Sequence, residues 1–366
     1  MKKTRDSNLE LLRIISIVLI IIGHVTWETN WHFNHIGMGH LNGIESLWIG
    51  GKLGVNIFAL ISAYFISTRT KFKVESIVRL WVEVLFYSWV ILAVSFIFRF
   101  HTLNAHNILK SFLPISFNGY WFITVYFFIY LIHPVLNQLI KVLDKKKYLF
   151  LLLVGFMYLF VFATFFRNNT AGSGDTWITL VYVYFLGAYI RKYDLVSYFK
   201  DKKVWLVIGI GIQLVLMVMS IIAINYVQAK GIMGFNPRHY AALIMGNSPF
   251  QLIMSTLVFL LFANIRIKHN KLINLYASAT LGVYMMHTNY LTKDIIFDDI
   301  VKMQRFENSY TIILEIAVAL VLYFILANID LLRQKLFNKV EVKIVNNISK
   351  QLDRINVIFT NYVNKK

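Results

Sequence analysis

Apolar positions fall into ten runs, near residues 9–27, 50–68, 77–98, 120–140, 148–166, 176–191, 204–225, 249–265, 272–290 and 309–332. A helix of about 20 apolar residues crosses the hydrocarbon core of a bilayer. The runs are continuous and lack the ten-residue alternation of an outer-membrane barrel. They predict an all-α fold, a polytopic membrane helical bundle of about ten transmembrane helices. The sixth run is short and the ninth is broken by polar residues. Beyond the tenth, Ile344, Ile348, Leu352, Ile355, Phe359 and Tyr362 recur at spacings of four or three, which suits one helical face. Lys343, Lys350 and Arg354 lie among them. The chain thus divides into a transmembrane domain, 1–336, and a basic amphipathic tail, 337–366, expected to lie along a leaflet.

Charge sets the orientation. Of the 37 Lys and Arg, 27 fall in segments that a cytoplasmic N-terminus places inside; nine, among them Lys52, fall outside, and Arg13 lies within the first run. The positive-inside rule then predicts an even number of spans with both termini inside. It also accounts for the net charge of +19, which on a soluble domain would suggest nucleic acid; no nucleic-acid partner is expected. The chain has no cysteine, so disulfides, thiolate metal sites and cysteine nucleophiles are excluded. "MKKTRDSN" leads into the first run without a small-residue cleavage site after it, so that run reads as a retained span. No internal repeat, low-complexity tract or second soluble domain is evident.

The first run reads "LRIISIVLIIIGHV". Eleven residues separate Arg13 from His24, three helical turns plus roughly 20°, so both side chains share a face about 16 Å apart along the axis. Taken singly, the arginine can snorkel to the inner interface and the histidine can sit among outer headgroups. Together they point to a polar seam facing the bundle interior, where intramembrane ionisable groups usually lie. Arginine binds phosphate bidentately, and histidine is the usual general base for a hydroxyl. A proton relay would use similar parts.

Three further segments carry a resemblance. "NLELLRIISIVLIIIGHV" resembles the opening of the membrane-bound acyltransferase family 3. "GGKLGVNIFALISAYFI" is similar to that family's second span and "ASATLGVYMMHTNYL" to its late Leu-Gly-x-Tyr-x-x-His segment, while "NGYWFITVYFFIYLIHPVLN" resembles the fourth span of Gram-positive members. The likeness implies transfer of an acyl group, commonly acetyl, from cytoplasmic acetyl-CoA or another acyl-CoA. The implied acceptor is a hydroxyl of a cell-surface glycan or lipid-linked sugar. It implies a catalytic role for His24 and a donor-binding or pore-lining role for Arg13. Where many members carry Arg-x-x-Arg entering the third span, this chain has "SIVR": Arg79 remains, Ser76 replaces its partner, and Arg69, Lys71 or Lys73 is left to supply the charge.

Other candidates follow from depth and spacing. Glu315, about two turns into the tenth run, is a carboxylate placed to orient His24 or to bind acceptor hydroxyls. His287 sits at a depth like that of His24 and is a candidate substrate contact, as are Trp121 and Asn56. Asn56 and Ser62 also suit interhelical hydrogen bonds, and Trp121 an interfacial anchor. Arg79 and Glu83, four apart, suit an ion pair, and His133 a structural role. Segment 28–49 reads as a polar, aromatic lip in which Trp27, Trp31 and Trp48 would face sugars. Its His32, His35 and His40, with Glu28 and Glu45, lack zincin spacing, so no metal is expected. "NNTAGSGDTW" has glycines without a phosphate-loop signature and reads as an outer loop.

The leading expectation is therefore a multi-pass O-acyltransferase of envelope glycans in a bacterial plasma membrane, with membrane lipid, acyl-CoA and a glycan as partners. A flippase or exporter of lipid-linked oligosaccharide is the alternative. It predicts internal repeats and paired broken helices and leaves the Arg13–His24 spacing unexplained. A glycan polymerase would need a larger, arginine-bearing outer loop. Direct attack by the acceptor hydroxyl and a covalent acyl-histidine are both compatible with the residues.

Overall fold

The computed structural model describes residues 7–69, 72–99, 104–166, 176–234, 241–244, 248–307 and 310–363, and their side chains apart from those of 34, 241, 242 and 354–363. Lys71, most of "NNTAGSGDTW" and the side chains of Ile355, Phe359 and Tyr362 lie outside this set. Every regular element among the described residues is helical. The principal ones are α1 (Ser7–Glu28), α2 (Met38–Ile66), α3 (Val74–Phe98), α4 (Ala105–Phe112), α5 (Trp121–Val142) and α6 (Lys145–Phe165). They continue with α7 (Trp177–Lys192), α8 (Lys203–Ala229), α9 (Pro249–Ala263), α10 (Lys271–Ser278), α11 (Thr280–Thr288) and α12 (Thr311–Val363).

Seven of these, α1, α2, α3, α5, α6, α8 and α12, are long and apolar enough to cross a membrane. The other three predicted runs form helices too, but shorter ones: α7 has 16 residues, α9 has 15, and the ninth run breaks at Ala279 into α10 and α11. The surface pattern is that of a bilayer protein. Phe96 is 72% exposed and Phe150 69%, while Glu315 and Asp330 are fully buried. Water would favour the reverse.

Two boundaries depart from the sequence reading. Helix α2 begins at Met38 rather than near 50, because Leu41, Ile44 and Trp48 recur at helical spacing and all are buried. The polar residues between them lower the hydropathy without breaking the period. Glu45 turns inward and accepts a hydrogen bond from Asn225 of α8 at 2.5 Å. Lys52, read as an outer residue, is therefore buried midway along α2, its Nζ 5.2 Å from the Trp48 ring and 5.9 Å from that of Trp121. At the other end, the last span and the basic tail are one continuous helix, α12, with Val345 and Ser349 buried.

The bundle is centred on α1 and α2, which approach closely through glycines. A Cβ on Gly23 would overlap the backbone of Gly51, and one on Gly54 would overlap the carbonyl of Ser16. Small residues at such crossings let membrane helices pack backbone to backbone. The turn between α5 and α6 is held by Asp144, whose carboxylate accepts the Lys147 backbone N–H at 2.8 Å. That bond holds the Asp144 carboxyl below its usual range.

Candidate active site

Arg13 and His24 open onto two separate cavities along one seam. The cavity at the Arg13 end, about 380 Å³, is lined by Arg13 of α1, Arg69 just past α2, and Ser76, Arg79 and Glu83 of α3. Each of these three elements thus brings a guanidinium to it. Arg13 Nη1 donates to Glu10 at 3.0 Å, and Arg69 Nη1 lies 3.4 Å from the Tyr130 hydroxyl. Of the three candidates left by "SIVR", Arg69 lines the cavity with Ser76 and Arg79, Lys73 does not, and Lys71 lies outside the described residues.

The expected Arg79–Glu83 pair does not form. Arg79 Nη2 donates to Glu75 at 3.2 Å, and its Nη1 lies 3.8 Å from Glu341. Glu83 instead accepts from Arg333 Nη2 of α12 at 3.0 Å. Arg333 also binds Asp330 at 2.7 Å and Glu341 at 2.9 Å, and Asp330 accepts the Tyr87 hydroxyl proton in a short hydrogen bond. Local i,i+4 spacing loses here to a buried guanidinium that needs several carboxylates at once.

The cavity at the His24 end, about 220 Å³, holds His24, Glu28, Trp121, His287 and Lys293. The two imidazole rings stand 5.2 Å apart, centre to centre, tilted by 48°. His287 Nδ1 lies 2.6 Å from the Val283 carbonyl. A carbonyl only accepts, so Nδ1 carries the proton and Nε2 the lone pair. That Nε2 is buried and, among the described residues, has no hydrogen-bond partner. Glu28, one turn beyond His24, accepts from Lys293 Nζ at 2.7 Å. The tyrosines of the wall are anchored: Asn289 donates to the Tyr120 hydroxyl, and the Tyr290 hydroxyl donates to the Asn107 carbonyl on α4, each at 2.6 Å.

Between the cavities lies a small void lined by Ile17, Ile20, Phe58, Phe122, Thr280 and Tyr284. Phe122 meets Phe58 edge-on at 5.8 Å and Tyr284 at 5.9 Å. These three rings narrow the seam. Helix α11 spans it, with Thr280 and Leu281 at the Arg13 cavity and His287 and Thr288 at the His24 cavity. The break at Ala279 starts this helix at the Arg13 cavity, so its positive end faces the side where the arginines gather.

A model of an acyltransferase domain, that of acyltransferase family 3, matches residues 6–329. The chain belongs to acyltransferase family 3. No curated protein and no solved structure matches it. The family 3 domain thus covers both cavities and every helix that lines them.

Within this family 3 chain, His24, His287 and Trp121 share one cavity and Arg13, Arg69 and Arg79 the other. Two candidates lie elsewhere. Asn56 is buried within α2 and lines neither cavity. Glu315 accepts the Thr26 hydroxyl proton at 2.7 Å. Thr26 is two residues past His24, about 200° around the helix, so this carboxylate sits behind α1 and does not orient His24. The aromatic lip is also corrected: Trp31 is buried with its indole N–H on the Thr26 carbonyl at 2.8 Å, and Trp27 stacks on buried Trp48 at 4.3 Å. Glu28, weighed above only beside the histidines of the lip, lies i+4 from His24, which was a usable signal; Lys293 had none.

Proposed function

We propose that this membrane acyltransferase takes an acyl group, acetyl being the simplest, from acyl-CoA on the cytoplasmic side and transfers it to a hydroxyl of an envelope glycan or lipid-linked sugar. Coenzyme A is a polyphosphate, and the cavity at the Arg13 end carries three guanidiniums, the side chain best suited to phosphate. The cavity at the His24 end carries imidazole, tyrosine and tryptophan, which suits proton transfer beside a sugar face. The observation that carries the reading is that two polar cavities of different chemistry lie on one face of α1, with Arg13 at one and His24 at the other.

In this reading the charged part of the donor stays among the arginines and its thioester reaches past Phe122 toward His24. His24 takes the proton of the acceptor hydroxyl. The hydroxyl oxygen bonds to the acyl carbon, the carbon–sulfur bond breaks, and the thiolate leaves with the proton. Helix α11 lines both cavities and so sets donor and acceptor on one path, which suits direct transfer. The enzyme sits in the bacterial plasma membrane with both termini cytoplasmic, and the end of α12 follows the inner leaflet.

The test supplies labelled acetyl-CoA and a lipid-linked or polymeric glycan to membranes holding wild type or His24→Ala at matched expression. Label in glycan with wild type alone is expected. Equal label with the variant would remove His24 from the chemistry.

A further inference from the structure

We propose that His287 is the positioning residue of His24: its Nε2 lone pair receives a ring N–H from His24 and so fixes which nitrogen of His24 is free to take the acceptor's proton. The inference rests on His24 being the base, and it adds the group that orients it.

A general base works through one nitrogen, and a second group usually holds the other. Among the described residues, His24 makes no hydrogen bond of its own. The carboxylate expected for the task, Glu315, is committed to Thr26 on the far side of α1. His287 has the opposite problem. Its Nδ1–H is tied to the Val283 carbonyl one turn back on α11, and its Nε2 is a fully buried acceptor with nothing to accept. An orphaned buried acceptor keeps its desolvation cost uncompensated, and native structures seldom carry one without a use.

The two deficits match. An imidazole–imidazole N–H···N bond of about 2.9 Å sets the ring centres about 5.3 Å apart, and these rings stand 5.2 Å apart. The separation is already that of a bonded pair; rotation of the His24 ring supplies the direction. The result is a chain of donors in one sense: acceptor hydroxyl to His24, His24 to His287 Nε2, His287 Nδ1 to the Val283 carbonyl. The proton lost by the hydroxyl goes no further than His24 before the leaving thiolate takes it, so His287 neither gains nor loses one. The other ionisable groups around the pair are Lys52 of α2, Glu28 of α1, Lys293 and the cavity tyrosines 120, 284 and 290. Lys293 is already paired with Glu28.

The experiment compares wild type, His24→Ala, His287→Gln and His287→Leu by acetyl transfer from labelled acetyl-CoA to the same glycan, with kcat and acceptor KM resolved. Glutamine places an amide oxygen near the position of Nε2 and so remains an acceptor, although it is no base. The expected result is a kcat loss of about 100-fold or more in His287→Leu at unchanged acceptor KM, with at least about 10-fold of it recovered in His287→Gln. A loss confined to acceptor KM would overturn the proposal, because it would make His287 a substrate contact. So would Gln as inactive as Leu, or both as active as wild type. Because either variant can misfold, 15N-histidine NMR of the wild type supplies a second reading: an N–H···N coupling between His24 and His287 is expected, and a protonated His287 Nε2 contradicts the proposal. Full activity of His24→Ala would instead remove the reading on which this inference depends.

Discussion

At the scale of single residues, the arginines make the sharpest claim. Arg13, Arg69 and Arg79 converge on one cavity, the first from α1 and the other two from either side of the α2–α3 turn. If they hold the phosphates of the donor, removing one charge-assisted hydrogen bond costs about 1.5–3 kcal/mol. Arg69→Leu should then raise the acyl-CoA KM roughly 10-fold or more while leaving the acceptor KM unchanged. Steady-state kinetics with each substrate varied in turn checks this, and a shift in the acceptor KM alone would move Arg69 out of the donor site. The Arg13–His24 pair was legible from spacing because a single helix carries both. The partnership of Arg69 with Arg79 was not, since it depends on where the α2–α3 turn folds back. The misreading of Glu315 has the same cause: depth in a helix can be read from sequence, but the side of α1 it meets cannot.

Helices carry the next set of claims. Helix α1 crosses α2 at Gly23, Gly51 and Gly54, where a side chain has no room. Gly23→Leu should lower stability by about 1–3 kcal/mol through overpacking, seen as a lower melting temperature in detergent; an unchanged melt would mean that the crossing is looser than described. Arg333 ties α12 to α3 through Glu83 and to its own Asp330 and Glu341. Arg333→Leu strands buried carboxylates, for which about 3–5 kcal/mol of destabilisation is expected, again read by thermal unfolding. Most elements were visible as apolar runs, and their ends agree to within a few residues. The start of α2 was hidden because its buried face, Leu41, Ile44 and Trp48, is interleaved with histidine, asparagine and glutamate. The break between α10 and α11 showed only as a weakness of the ninth run, since its consequence, a short helix joining two cavities, belongs to packing.

For the whole molecule, the account requires a fixed orientation in the membrane. The absence of cysteine makes that directly accessible. With the N-terminus inside, a cysteine introduced as Lys200→Cys should be shielded from a membrane-impermeant maleimide in intact cells, and one introduced as Lys230→Cys should react. The reverse pattern would invert the topology. Orientation matters because the central claim is vectorial: one chain accepts an acyl group at the Arg13 end and releases it at the His24 end, past the rings of Phe58, Phe122 and Tyr284. The most direct measurement uses proteoliposomes of uniform orientation, with labelled acetyl-CoA confined to the cytoplasmic side and the glycan acceptor to the other. The account predicts labelled glycan with wild type and none with His24→Ala, and label that appears only when donor and acceptor share a side would contradict it.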